Sequence, residues 1–296
     1  MAQPIAAIAA AAVLLFIPAL TGLLSFMENR RLGQLARQRA LLGGRLAAGL
    51  ARAFCNAVWT LWLTVLVLPM GRLTGFDRSG AGGEKHPPVI LVHGLYHNPA
   101  AWFIMRLRLK QAGFTDVRCY SYASFGCAFA DITAGLTELL LATAGESRDG
   151  RVLLMGHSLG GLVIRAACAD VRVDGAAGVD VAGVVSRGTP HRGSTLAGML
   201  GVGRLARGLA PQGEVLRLLR AMPVPRAPWL SLYTPTDGMV LPLTGALLGA
   251  DEHGAGWVER PVPAMSHVGL LYSGTAARLA LAFLKDCAAG RQRAGG

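Results

Sequence analysis

The chain has 296 residues, 52% of them apolar, a formal charge of +12 and only five cysteines. So apolar a composition calls for membrane segments beside any globular domain, and five scattered cysteines with no C-x-x-C pair do not describe a disulfide scaffold or a zinc site. The positive charge is thinly spread except in residues 1–52, where six arginines stand against Glu28 alone, and no basic run is interleaved with aromatics, which argues against nucleic-acid binding.

From Ile5 to Phe26 there are 22 residues without a charge, enough at 1.5 Å per residue to cross a hydrocarbon core of about 30 Å. A cleaved signal peptide is the competing reading. Met1-Ala2-Gln3-Pro4 has no basic side chain and the apolar core is long, so an uncleaved anchor is expected. A second charge-free stretch of 19 residues, Ala53–Gly71, lies between Arg52 and Arg72. Asn56 falls inside it and Trp59 and Trp62 near its middle, which leaves three placements open: spanning, lying in the interface, or packed on the soluble domain. If both segments span, residues 1–75 form a transmembrane helical hairpin. Its basic loop, residues 28–52, then stays cytoplasmic and sends the rest of the chain to the outer face, the periplasm in a bacterium.

Residues 76–87 are rich in glycine and charge and read as a linker. The globular domain, residues 88–290, opens with the apolar β-type run Val89–Val92, followed by a helix near Ala100–Ala112, a strand Val117–Tyr122 and a helix near Ala130–Ala144. A strand Val152–Met155, a helix Leu162–Val171 and a strand Val181–Ser186 come next, then strands Trp229–Tyr233 and Trp257–Val262, a last helix near Gly274–Leu284 and a tail 291–296. Strands separated by helices predict right-handed crossovers and a mostly parallel sheet with helices on both faces, an α/β fold. Residues 195–223 interrupt this alternation. There Val215, Leu218, Leu219 and Met222 share one helical face, which suits either a helix docked on the core or a cap over the active site. A bridge between Cys119 and Cys127 is conceivable, but free, buried thiols are the simpler expectation.

The chemistry centres on Gly156-His157-Ser158-Leu159-Gly160, where an apolar strand meets a helix and the two flanking glycines permit a turn too sharp for a side chain. Such a nucleophile elbow needs a base, an acid that orients the base, and donors for an oxyanion. Of the seven histidines, His267 follows the last strand, at the sheet edge where Ser158 would sit, and His191 is the second choice. His93 and His157 are expected to bond loop backbone. Asp237 directly follows a strand at the same edge and is the expected acid, with a turn-capping role beside Gly238 as its plainer reading and Asp251 as the alternative acid. The order Ser158, Asp237, His267 separates this set from the two main serine protease arrangements. Backbone N–H groups of Leu95 and Leu159 are the expected oxyanion donors.

Together the His93-Gly94 turn, the elbow, Gly188-Thr189-Pro190-His191-Arg192-Gly193-Ser194, Asp237 and His267 resemble the α/β-hydrolase superfamily, particularly bacterial lipases and esterases, over residues 88 to about 285. The resemblance implies an α/β-hydrolase fold and carboxylic-ester hydrolysis through an acyl-enzyme on Ser158, with no organic cofactor. Some lipases of this type hold a structural calcium through aspartates near the histidine; here the first aspartate after His267 is Asp286, so no metal is expected. The expected partners are a lipid or other acyl-ester substrate and the membrane bilayer, with no nucleic acid. The same residues would also serve an acyltransferase or thioesterase, and a hydrolase fold can act as a non-catalytic, membrane-bound binding module.

Overall fold

The structure, a computed structural model, describes residues 2–72, 86–173, 179–249 and 256–291, with side chains at residue 12 and from residue 14 onward. Most of the expected linker, the alternative acid Asp251 and His253 lie outside the described residues. Three helices come first: α1 (Ala2–Arg31), α2 (Leu35–Leu41) and α3 (Leu46–Val67). The globular domain then runs β1 (Val89–Val92), α4 (Phe103–Gln111), β2 (Val117–Tyr120), α5 (Phe129–Glu146), β3 (Arg151–His157), α6 (Leu159–Cys168) and β4 (Asp180–Arg187). Three short helices follow, α7 (Thr195–Leu200), α8 (Arg204–Arg207) and α9 (Glu214–Arg220), then β5 (Trp229–Tyr233), β6 (Trp257–Pro261), α10 (Gly269–Tyr272) and α11 (Gly274–Ala288).

The six strands make one sheet in the order β2-β1-β3-β4-β5-β6, every neighbouring pair parallel. The strands are apolar without alternation because both faces are covered. Ile90, Val92, Val152, Leu154 and Val184 pack with α5, α6 and α9 on one face. Val89, Leu91, Leu153, Met155 and Val185 pack with α4 and α11 on the other. The order reverses between β1 and β3, and at such a switch point the carboxyl ends of the strands leave a crevice for ligands.

Two expectations shift in detail. The helix after the elbow begins at Leu159 rather than Leu162 and ends at Cys168, because Asp170 turns the chain by accepting the Arg172 N–H (2.9 Å). In α9 the buried face is Val215, Leu216 and Leu219, packed on α6, while Leu218 is 40% exposed. The insertion 195–223 thus docks its third helix on the core.

The N-terminal helices lie against this domain. α1 and α3 pack on each other, and each presents polar side chains one turn apart to the globular domain. On α1, Ser25 Oγ donates to the Asp237 carbonyl (2.9 Å) and Asn29 Oδ1 accepts the Leu243 N–H (2.8 Å). On α3, Asn56 Oδ1 accepts from Ser266 N (2.9 Å) and Ser266 Oγ (2.8 Å), and the Thr60 hydroxyl meets Ser266 Oγ at 3.1 Å. Gln38 of α2 donates to the Pro235 carbonyl (2.7 Å). The other faces are apolar and open to solvent, with Trp59 64% and Leu66 67% exposed. Among the described residues one helix, Leu46–Gly71, is long and apolar enough to cross a membrane, and only 11% of its 18-residue apolar window is buried, unlike the core helix of a soluble protein.

Candidate active site

Ser158 stands between β3 and α6 with φ 53° and ψ −124°, a positive-φ conformation that costs a non-glycine residue energy and persists only where the surroundings impose it. Here they do. A Cβ on Gly156 would come within 2.6 Å of the Gly161 nitrogen, and one on Gly160 would strike the carbonyl oxygens of Val92 and His93. Only glycines at both positions let helix and strand close on the turn. The Ser158 N–H donates to the Arg187 carbonyl (2.9 Å), which ties the elbow to the end of β4. Gly94, after β1, approaches so closely that a Cβ there would sit 3.0 Å from the Ser158 Cβ. This brings the Leu95 loop beside Ser158, and Leu159, as the first residue of α6, has an N–H with no carbonyl partner inside the helix.

His267 and Asp237 are brought together from the loops after β6 and β5. His267 Nδ1 donates to Asp237 Oδ2 at 2.8 Å, with both side chains nearly fully buried. The other carboxylate oxygen accepts the N–H groups of Met239 (2.8 Å) and Val240 (2.9 Å), so Asp237 is fixed by three hydrogen bonds. The two loops are cross-braced by Thr236, whose hydroxyl donates to the Met265 carbonyl (2.9 Å) and accepts the Met265 N–H (3.0 Å). Ser158 and His267 meet at the end of β4: Ser158 is bonded to its last residue, Arg187, and a Cβ on the following Gly188 would lie 3.1 Å from His267 Cε1. Among the described residues, Ser158 Oγ makes no hydrogen bond to the imidazole. Apo active sites often close that contact only around a substrate.

The remaining histidines have other duties. His157 Nε2 donates to the His267 carbonyl (3.2 Å), and its ring lies 4.7 Å from that of His267. His93 Nδ1 donates to the Gly94 carbonyl (2.9 Å) while its ring stacks on Tyr122 at 4.2 Å. Burial holds His93 and His97 down to about 4, and His157 well below the usual imidazole range. His191, the second-choice base, faces the core between β4 and β5, sharing hydrogen bonds of 3.2 Å with Ser186 and Ser231, and desolvation brings it down to about 3. It is too committed to those partners to serve Ser158. None of the five cysteines is in a disulfide; Cys119, Cys168 and Cys287 are buried as expected, whereas Cys55 is exposed and Cys127 half-buried. Among the described residues no group of three or more His, Cys, Asp or Glu side chains is placed to hold a metal ion.

Sequence reasoning missed Arg187, which is fully buried with no carboxylate partner among the described residues. It reaches the Leu270 carbonyl (3.4 Å) and Met105 Sδ (3.1 Å), its guanidinium lies 5.8 Å from the Trp102 ring centroid, and desolvation lowers it to about 9. It also missed the bracing Thr236. The threonines on either side of Pro235, next to Asp237, were the available signal.

Residues 89–291 match the alpha/beta hydrolase family, and the chain belongs to it. Solved structures with this fold include Aspergillus fumigatus lipase B, 18% identical, covering 70% of this chain and 54% of its own, with a TM-score of 0.54. A metagenome-derived lipolytic enzyme, also 18% identical, covers 72% of this chain and 99% of its own with a TM-score of 0.55. Phospholipase PlaB from Legionella pneumophila is 15% identical and covers 72% of this chain and 62% of its own, with a TM-score of 0.54. No curated protein matches the sequence.

Proposed function

We propose that this protein is a membrane-associated serine hydrolase that cleaves carboxylic esters of lipids through an acyl-enzyme on Ser158. The observation that carries the proposal is the buried 2.8 Å contact between His267 and Asp237, on the same sheet edge as a serine held at positive φ. In this reading His267 Nε2 takes the Ser158 proton as Oγ attacks the ester carbonyl. Asp237 keeps Nδ1 protonated and steadies the imidazolium, and the N–H groups of Leu95 and Leu159 receive the oxyanion. Water then releases the acid by the same proton path in reverse. Lipolytic enzymes among the proteins of like fold support an ester as substrate.

Membrane contact is supported by the exposed apolar faces of α1 and α3, since soluble monomers seldom leave so continuous an apolar surface in water. Asn56, Thr60 and Thr64 face the domain along the C-terminal half of α3, Thr64 meeting the Tyr272 hydroxyl at 3.4 Å. That contact line favours a hairpin lying along the membrane surface over the crossing, periplasm-facing topology.

Reaction with a fluorophosphonate tests the chemistry: wild type is labelled and Ser158→Ala is not, whereas a folded wild type that stays unlabelled refutes the enzyme. For the membrane, Trp102, Trp229 and Trp257 are buried, so lipid vesicles should blue-shift emission through Trp59 and Trp62. An unchanged spectrum would refute contact along α3.

A further inference from the structure

Between α1 and α3 runs a groove of about 450 Å³, within the usual size range of ligand pockets. Gly22 and Ala57 line its two walls, His267 and Val268 its buried end, and the exposed Ile17 and Leu23 its outer end. Its hydroxyls are already engaged within the protein: Thr21 with the Ile17 carbonyl, Ser25 with Asp237, Thr60 with Asn56 and Ser266, and Thr236 with Met265. What they leave to a ligand is apolar surface, which suits an alkyl chain.

The position of the groove decides which chain. Its lining includes His267, flanks Asp237 through Thr236 and Gly238, and includes neither Ser158 nor Leu95 nor Leu159. When the Ser158 Oγ–carbon bond forms and the carbon–oxygen bond to the alcohol breaks, the proton carried by His267 Nε2 goes to the leaving oxygen. That oxygen must therefore lie on the His267 side, and whatever it carries continues in the same direction. The carbonyl oxygen turns the other way, toward the oxyanion donors. We infer that the groove holds the apolar alcohol portion of the ester, so that the N-terminal hairpin forms the leaving-group subsite. The substrate class is then an ester whose alcohol is itself lipid-like, such as a glycerolipid that keeps one chain when another is removed. The open outer end at Ile17 and Leu23 lets that chain enter directly from the bilayer. The inference rests on the Ser158–His267 chemistry proposed above.

Two isomeric pairs separate the two sides of the ester at equal apolarity: octyl acetate against ethyl octanoate, and dodecyl acetate against ethyl dodecanoate. A Cβ on Gly22 meets nothing within 4 Å, so the ring in Gly22→Phe has the groove to occupy. On the full chain in detergent micelles, this variant should lower kcat/KM for the long-alcohol esters by about tenfold or more relative to their long-acid isomers. Ala57→Leu, from the opposite helix, should shift the ratio the same way and covers a failure of the first variant to fold. An unchanged ratio in both, or a selective loss of the long-acid esters, overturns the inference. Failure of the underlying chemistry shows separately, as a wild type that neither reacts with a fluorophosphonate nor hydrolyses any of the four esters.

Discussion

On the sheet side of His267 the Asp237 carboxylate is buried and over-determined, held by three hydrogen bonds, with its loop braced to the next by Thr236. On the hairpin side a few neutral hydrogen bonds from Ser25, Asn29, Asn56 and Thr60 hold two helices whose other faces are apolar and exposed. The first arrangement suits chemistry, which needs reacting groups fixed to a fraction of an ångström before substrate arrives. The second suits a surface that must meet lipid, because neutral hydrogen bonds worth roughly 1 kcal/mol each can be exchanged without unfolding the sheet. The site is thus a rigid edge closed by a loosely held partner.

The sharpest way to break this division is on the rigid side. Asp237→Ala should lower kcat on a p-nitrophenyl ester by about 10⁴-fold, the scale expected when an imidazole loses the acid that fixes its tautomer. The Ser25 bond to the residue 237 carbonyl survives that change, because only backbone accepts it. The hairpin should stay docked, and a loss of less than about tenfold would remove Asp237 from the chemistry.

Next in size is the elbow itself. Gly160→Ala pushes a methyl group into the carbonyls of Val92, the last residue of β1, and His93 just after it, which cannot move without disturbing the end of the β1–β3 pairing. The expected cost is about 3–5 kcal/mol, read from the urea midpoint at constant m-value. A methyl on Gly22 meets nothing, so Gly22→Ala should be neutral or slightly stabilising. Equal effects at the two glycines would erase the contrast between the two regions.

These two glycines also mark how far the sequence can be read. The elbow was legible because each constraint is local: an apolar strand, a forced turn and an apolar helix lie within about twenty residues. Asp237 and His267 could be placed by chain order alone, since each follows a strand whose end the parallel sheet brings to one edge. The hairpin was legible as apolar, but packing on the domain was only one of three placements left open for its second helix. Its polar seam, Asn56, Thr60 and Thr64 at intervals of four, is a helical stripe inside a run whose hydropathy hides it. Its partners, Ser266 and Tyr272, are some 200 residues away, beyond any periodicity. Leu218 was assigned inward by a spacing that α9 satisfies equally well one position over, at Val215, Leu216 and Leu219.

Acid should act on the rigid side. His93 and His97 are lowered to about 4 and His191 to about 3, against about 6.5 in an unfolded chain. The unfolded state therefore binds more protons between those values, and stability rises with pH in that window. It should be full above about pH 6.5 and fall on acidification, by roughly 2 kcal/mol for each such ring at pH 5. Urea titrations at pH 7.5 and pH 5 measure this, and a flat profile would mean that these rings are solvated.

The smallest expected effect tests the join between the two regions. Asn56 Oδ1 is the acceptor for both the N–H and the hydroxyl of Ser266, the residue before His267. Asn56→Ala removes both contacts and should weaken hairpin docking by about 1–3 kcal/mol, while the urea midpoint of the sheet stays where it was. Because the same loop carries His267, kcat should fall about three- to tenfold, well short of the loss at Asp237. Ser266→Ala removes the hydroxyl contact from the other side, so the pair should be non-additive in a double-mutant cycle by at least about 0.5 kcal/mol. Strict additivity would mean that the hairpin and the His267 loop do not communicate through this contact, and the two regions would then be neighbours without being coupled.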